Sequence, residues 1–244
     1  MAAGQTSPVS HNRLLDTLPE ADLAMVGGTL EHVVLPLRLH LEQRNRGAEH
    51  VYFLTSGIAS VIVKGPKGRD IEAGIIGQDG MTGLAATLGI DPPAHEIMMQ
   101  MAGEGHRMPV AAFVAALRES AAFDLACRRY VHAFLVQTSY TVLANGRNNI
   151  EERLARWMLM AQDRTGSPDL VFTHEFLALM LGVRRAGVTT AIKLLAQSGL
   201  IGHARGRMSI LDRPGLVAIT KGSYGPAEEQ LERILEKKPL RPAA

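Results

Sequence analysis

Residues 173–201 read THEFLALMLGVRRAGVTTAIKLLAQSGLI. Thr173 stands ahead of an apolar run with an acidic residue soon after it, the pattern of a helix N-cap, so a helix is predicted from there to about Leu181. Gly182 ends it. A new helical pattern starts three or four residues later, where Val188, Ala191, Ile192 and Leu195 fall at i, i+3, i+4 and i+7 and form one apolar face. Two short helices joined by a glycine-containing turn make a helix-turn-helix. The opposite face and leading end carry Arg184, Arg185, Thr189, Thr190 and Lys193, side-chain types that bond the phosphate oxygens and base edges of double-stranded DNA. Beyond Leu200, IGHARGRMSILD (201–212) reads as strand, basic turn, strand, a wing that brings Arg205 and Arg207 near a phosphate backbone.

Charge distribution agrees with this parsing. The 244 residues carry a formal net charge of only +2. Residues 1–150 hold twelve Lys/Arg against fourteen Asp/Glu, whereas 151–244 hold fourteen against ten. Within 170–221 seven basic residues face two acidic ones, Glu175 and Asp212. A chain of this length is expected to fold as two domains, and 46% hydrophobic with 20% charged residues is ordinary globular composition. No apolar run approaches the roughly 18 residues of a membrane span. The opening MAAGQTSPVSHNRLLD lacks a basic stretch followed by an apolar core, so a cytoplasmic address and no membrane partner are expected. A single cysteine, Cys127, rules out an intramolecular disulfide and any all-cysteine zinc or iron–sulfur site within one chain; neither a metal nor a cluster is expected.

Working back from the helix-turn-helix, residues 30–108 break into short β-like runs, HVVLPL, HVYFLT, ASVIVK, DIEAGII and EIMMQMA, with turns at Ser56–Gly57, GPKG (65–68) and DPP (91–93). This predicts a small antiparallel barrel or sandwich. VAAFVAALRES (110–120) reads as a short helix and 123 to about 148 as a long one. On the long helix Val131, Phe134, Leu135, Thr138 and Val142 share a stripe, with Asn145 three residues further on. A helix of this length needs cover on two sides: either it packs only on its own barrel, or its second face pairs with a partner subunit, where Asn145 would set register. IEERLARWMLMAQDR forms a further helix stopped by Gly166 and Pro168 in TGSPD.

HVYFLTSGIASVIV, the glycine-rich IIGQDGMTGLAATLG, IEERLARWMLMA and the 173–201 stretch, in this order, resemble the Crp/Fnr family of bacterial regulators over about residues 13–220. The resemblance implies an α+β fold: a cyclic-nucleotide-binding-like, jelly-roll β-barrel over 1–122, a dimerisation helix over 123–148, a winged helix-turn-helix over 149–222, and a C-terminal helix and tail over 223–244. It also implies a parallel homodimer that reads a near-palindromic DNA site, with RNA polymerase as a further partner if the protein activates transcription. Arg185 matches the position where the family commonly places an arginine that reads guanine. Ala186 and Thr190 depart from the glutamate and second arginine often found beside it, so the familiar operator is not implied.

The barrel departs further. By resemblance the ligand turn runs from Gly77 to Leu84, with Gly80, Met81, Thr82, Gly83, Leu84 and also His95 as the candidate ligand contacts. Met81 stands where a ribose-binding glutamate is usual, and Ala94 or His95 where a phosphate-pairing arginine is usual. An unpaired phosphate inside a barrel is costly, so cyclic AMP is not the expected ligand and the cofactor is left unassigned. Histidines 32, 50, 106 and 132 read as solvated or hydrogen-bonded residues, and Cys127 as a buried thiol rather than a redox switch. No Ser/His/Asp set, carboxylate pair or phosphate loop marks an enzyme. The alternative to a DNA-binding regulator is a nucleotide- or small-ligand-binding scaffold whose winged helix makes protein contacts; the basic bias of 170–221 favours DNA.

Overall fold

The computed structural model describes residues 11–167, 169–204 and 207–236. A short helix, α1 (Glu20–Gly27), leads into strands β1 (Glu31–Leu35), β2 (His40–Glu42), β3 (His50–Leu54), β4 (Ile58–Val63) and β5 (Ile71–Ile76). A four-residue helix, α2 (Leu84–Thr87), precedes β6 (Glu96–Met101) and β7 (Gly103–Pro109). The strands form two antiparallel sheets, ordered β1-β7-β3 and β2-β6-β4-β5. Strand β2, three residues long, and the glycine-rich β7 escaped the sequence reading because neither carries an alternating apolar run long enough to show.

Between the sheets lies a core of Leu35, Leu41, Leu54, Ala59, Val61, Ile76, Ile97, Met99 and, from outside the strands, Phe134. Phe134 belongs to helix α4 (Ala121–Arg147), which follows α3 (Val110–Glu119) and starts at Ser120, whose hydroxyl accepts the Phe123 N–H. This corrects one expectation: Phe134 is buried in its own β-domain and is not available to a partner subunit. Close approach of α4 to β5 rests on Gly74, where an added methyl would come within 2.7 Å of Gln137 Oε1 and 3.0 Å of the Phe134 ring. The Gln137 amide then accepts the Ile75 N–H at 2.7 Å and donates to the Ile75 carbonyl at 3.2 Å, tying the helix to the strand.

Helix α5 (Ile150–Thr165) opens with a capping box, Asn149 accepting the Glu152 N–H while Glu152 accepts that of Asn149, and ends at Gly166 in the left-handed region. Past it come β8 (Asp169–Val171), α6 (His174–Met180), α7 (Arg185–Gln197), β9 (Ile201–Ala204), β10 (Arg207–Ile210), α8 (Arg213–Ile219) and α9 (Pro226–Leu235). Strand β8 turns the wing hairpin into a three-stranded sheet, β8-β10-β9. Trp157 of α5 packs edge-on against Phe172 at 4.6 Å, and Phe172 stacks on Phe176 at 5.1 Å, which fixes α6 to α5. Ile58 and Ile75 of the β-domain share this core with Leu154, Met158 and Leu181, so the C-terminal domain is seated on the barrel strands. Helix α9 returns to α4, where Leu231 packs with Cys127, Tyr130 and Ala133. Cys127 is fully buried, and burial pushes its thiol well up, away from the reactive thiolate.

Candidate nucleic-acid interface

Helices α6 and α7 are set by three local devices. The Thr173 hydroxyl accepts the Phe176 N–H at 3.1 Å and caps α6. Gly182, at φ +61°, takes the left-handed turn that a side chain resists, and its N–H bonds back to the Leu179 carbonyl. Val188, Ala191, Ile192 and Leu195 then bury the inner face of α7 against α5. With that face fixed, the other must point outward: Arg184, Arg185, Thr189, Thr190 and Lys193 are all exposed.

Two of these side chains already have partners that spacing did not reveal. Arg185 Nη1 lies 2.7 Å from Glu175 Oε1, with both side chains about two-thirds exposed. Thr189 Oγ1 donates to the Arg185 carbonyl at 3.2 Å and sits 2.9 Å from His174 Nδ1, whose ring is 5.6 Å from that of His203 on the wing. Glu175 and His174 occupy the first turn of α6, and only the crossing of the two helices brings them to α7. The Thr190 hydroxyl turns back to the Ala186 carbonyl at 3.1 Å. On the wing, Arg207 Nη1 meets Asp169 Oδ2 of β8 at 3.0 Å. Arg205 lies outside the described residues. The candidate interface is thus a strip from the α6 N-terminus across α7, with Arg207 beyond it, in which Arg185 and Arg207 are held by exposed carboxylates that a phosphate could replace.

The glycine-rich turn is closed by contacts within the chain. Met81 is wholly buried among Val51, Phe53 and Met108, which corrects its reading as a ligand contact. Thr82 is buried, its hydroxyl accepting the Tyr52 N–H at 3.0 Å and its own N–H reaching the Tyr52 carbonyl at 2.9 Å. The Gly83 N–H donates to the Glu42 carboxylate at 2.6 Å. Gly80 lies against Tyr130 of α4, Leu84 is half-buried, and His95 stands exposed ahead of β6. Next to Gly80, Asp79 Oδ2 lies 3.3 Å from Arg164 Nε of α5, a buried ion pair between the turn and the C-terminal domain.

A second buried link crosses the same junction. Glu72 of β5 accepts the Trp157 indole N–H at 2.8 Å and the Ser60 hydroxyl, and Ser60 also lies 3.5 Å from the Met180 sulfur. Burial pushes the Glu72 carboxyl up to about 7, against the opposing effects of Ser60, Trp157, Arg156 and Arg164. Among the described residues no group of three His, Cys, Asp or Glu side chains can hold a metal ion, and no helix is long and apolar enough to cross a membrane.

Residues 152–219 match the Crp-like helix-turn-helix domain. The chain has the fold of the solved Crp/Fnr-type structures, with a Crp-like helix-turn-helix domain. A transcriptional regulator of the Crp/Fnr family from Eubacterium rectale superposes with a TM-score of 0.65 over 89% of this chain and 99% of its own, at 18% identity. The c-di-GMP-responsive global regulator of Xanthomonas campestris gives 0.63 over 79% and 99%, at 16% identity. A CRP-family regulator of Thermus thermophilus gives 0.62 over 79% and 97%, at 20% identity. No curated protein sequence matches. At these identities the likeness concerns the Crp/Fnr fold; the Crp-like domain spans α5 to α8 and so contains the whole exposed strip on α7.

Proposed function

We propose that this chain is a sequence-specific DNA-binding transcription regulator that works as a homodimer on a near-palindromic site, without cyclic AMP. The observation that carries this is the outward face of α7: five exposed phosphate- and base-seeking side chains lie opposite an apolar face wholly committed to the core. Arg185 is the base reader, Arg184, Lys193 and Arg207 the backbone contacts, and Thr189 and Thr190 accessory contacts. Arg205 is assigned to the wing contact from sequence alone.

The dimer is proposed through α4. Its exposed stripe runs Leu125, Arg128, His132, Leu135, Ser139, Val142, with steps of three and four, and Leu135 and Val142 are 62% and 67% exposed. Of the stripe read from sequence, Leu135, Val142 and Asn145 are exposed, and Val131 and Thr138 half-buried beside them. Two-fold pairing along this seam would present two α7 helices to half-sites about one helical turn apart. The barrel reading is supported by Glu42, which already occupies the Gly83 N–H, and by Met81, which lies in the core. A cytoplasmic setting, a role without enzymatic activity, and contact with RNA polymerase where the protein activates complete the proposal.

The test is fluorescence-anisotropy binding to duplexes selected from a random pool, at two salt concentrations, with and without cyclic AMP. Tight, salt-dependent binding that the nucleotide leaves unchanged is expected. Binding only with nucleotide overturns the barrel reading; no selected sequence under any condition favours the scaffold whose winged helix contacts protein.

A further inference from the structure

Glu42, at the end of β2, is 5% exposed. Its carboxylate accepts the Gly83 N–H and a hydrogen bond from the Thr82 hydroxyl, yet burial still pushes its proton affinity up, and no cation offsets that burial. Among the described residues it has no ion-pair partner: His40 pairs with Glu96, Arg46 bonds Gln43, and Arg118, on the same cavity, is exposed and forms no ion pair with it. A carboxylate desolvated without a counter-charge is costly to keep ionised.

That carboxylate lines a cavity of about 270 Å³ between α2, α3 and the loop before β6. The walls are Ala85, Ala86, Ile90, Pro93, Val110 and Val114, all apolar, with Asp91 and Arg118 also on the lining. Two carboxyl groups, Glu42 and Asp91, and one guanidinium, Arg118, give the lining a formal charge of one negative, and Glu42 is the buried member of the three. A second cavity, of about 170 Å³, is lined by Glu42 together with residues of β2, β3 and the loop between them. Size and lining suit a fragment-sized organic molecule. A metal ion is a poor fit, since hard cations take six or more oxygen ligands and only Glu42 and Asp91 offer carboxylates here.

We infer that this cavity binds a small apolar molecule carrying a protonated amine, with the Glu42 carboxylate as its counter-ion and the α2 and α3 side chains as its apolar sleeve. The ammonium donates to the carboxylate oxygens, and the hydrocarbon part displaces water from the alanine and valine walls. The effector class is therefore cationic, opposite in charge to a cyclic nucleotide. This site stands whether or not the C-terminal domain binds DNA.

Phenethylammonium serves as the probe, 3-phenylpropanoate as its anionic counterpart and cyclic AMP as the nucleotide, each titrated into the full chain with thermal-shift and calorimetric readouts. Saturable stabilisation by phenethylammonium alone is expected. Glu42→Gln, which keeps an acceptor for Gly83, should weaken it by about thirtyfold or more, the lower range for removing one partner of a desolvated charge pair. Val114→Trp fills the sleeve, leaves Glu42 in place and should also abolish binding, so the outcome does not hang on one variant folding. Preference for phenylpropanoate or cyclic AMP, undiminished amine binding by both variants, or no saturable amine binding overturns the inference. None of these outcomes bears on DNA affinity, which the same preparation reports separately.

Discussion

Arg185 and Arg207 carry the same charge in similar pairs with exposed carboxylates, and each pair is worth at most about 1 kcal/mol in water. Their placement separates them. Arg185 opens α7, the helix proposed to reach base edges, whereas Arg207 sits on the hairpin strand proposed to lie along the phosphate backbone. Arg185→Ala should cost roughly 1–3 kcal/mol of discrimination between cognate and scrambled duplexes. Arg207→Ala should weaken both alike and lower the salt slope by about 1. Equal losses for both variants on both duplexes would refute this division. Another single-residue expectation concerns Gly80, where an added methyl would overlap the Tyr130 ring and hydroxyl. Gly80→Ala should destabilise by about 1–3 kcal/mol in urea melts, as overpacking does, while Gly89→Ala, with open space around it but a positive φ, isolates the backbone cost alone. The outward face of α7 was legible in sequence because one helix fixes it by itself. Glu175, Asp169 and Glu42 were not, since each meets its partner across elements whose relative placement no local spacing encodes.

Helix α4 shows the same limit one level up. Both of its long faces carry apolar residues, so a stripe drawn at three-and-four spacing mixed Phe134, which enters the β-domain, with Leu135 and Val142, which stay outside. What divides the faces lies on another element: Gly74 gives α4 room and the Ile75 backbone takes both ends of the Gln137 amide. The division is testable by paired variants. Leu135→Asp with Val142→Asp should give a monomer by light scattering at micromolar concentration that still unfolds cooperatively and has lost only the stability that association adds, because neither side chain supports the monomer's core. Phe134→Ala should do the reverse, lowering stability by about 3–5 kcal/mol and leaving the mass that of a dimer. A dimer that survives the double aspartate would remove α4 as the seam. The strands with alternating or continuous apolar runs and the helices α3 to α7 were legible; β2, β7 and β8 were not, because three residues or a glycine-rich run carry no period, and neither were the short helices α1 and α8, of eight and seven residues.

Across the whole molecule, the two domains are joined by polar groups buried between them, and Glu72 is the one that titrates nearest neutrality. It is fixed on the barrel, accepts from Trp157 on α5, and faces the Arg156 and Arg164 guanidiniums as well as Ser60, itself touching Met180 of α6. The folded chain holds this proton up to about pH 7, whereas the ordinary carboxyl value is 4.5, so between these limits the native state binds the proton that the unfolded chain has released. Stability from this group is therefore whole at low pH and falls as pH rises toward 7, by roughly 3 kcal/mol once both states are ionised. Glu72→Gln keeps an acceptor for the Trp157 N–H and removes the titration. In denaturant melts between pH 5 and 8 the wild type should lose stability relative to the variant as pH rises, and the variant should be the more stable of the two at pH 8. Glu42, also buried and also raised, contributes a slope of the same sign in both proteins and so cancels from the comparison. Parallel pH profiles would mean that Glu72 is ionised throughout and that Arg156 and Arg164 outweigh its burial, which would make the junction a plain ion-pair contact without a proton in it.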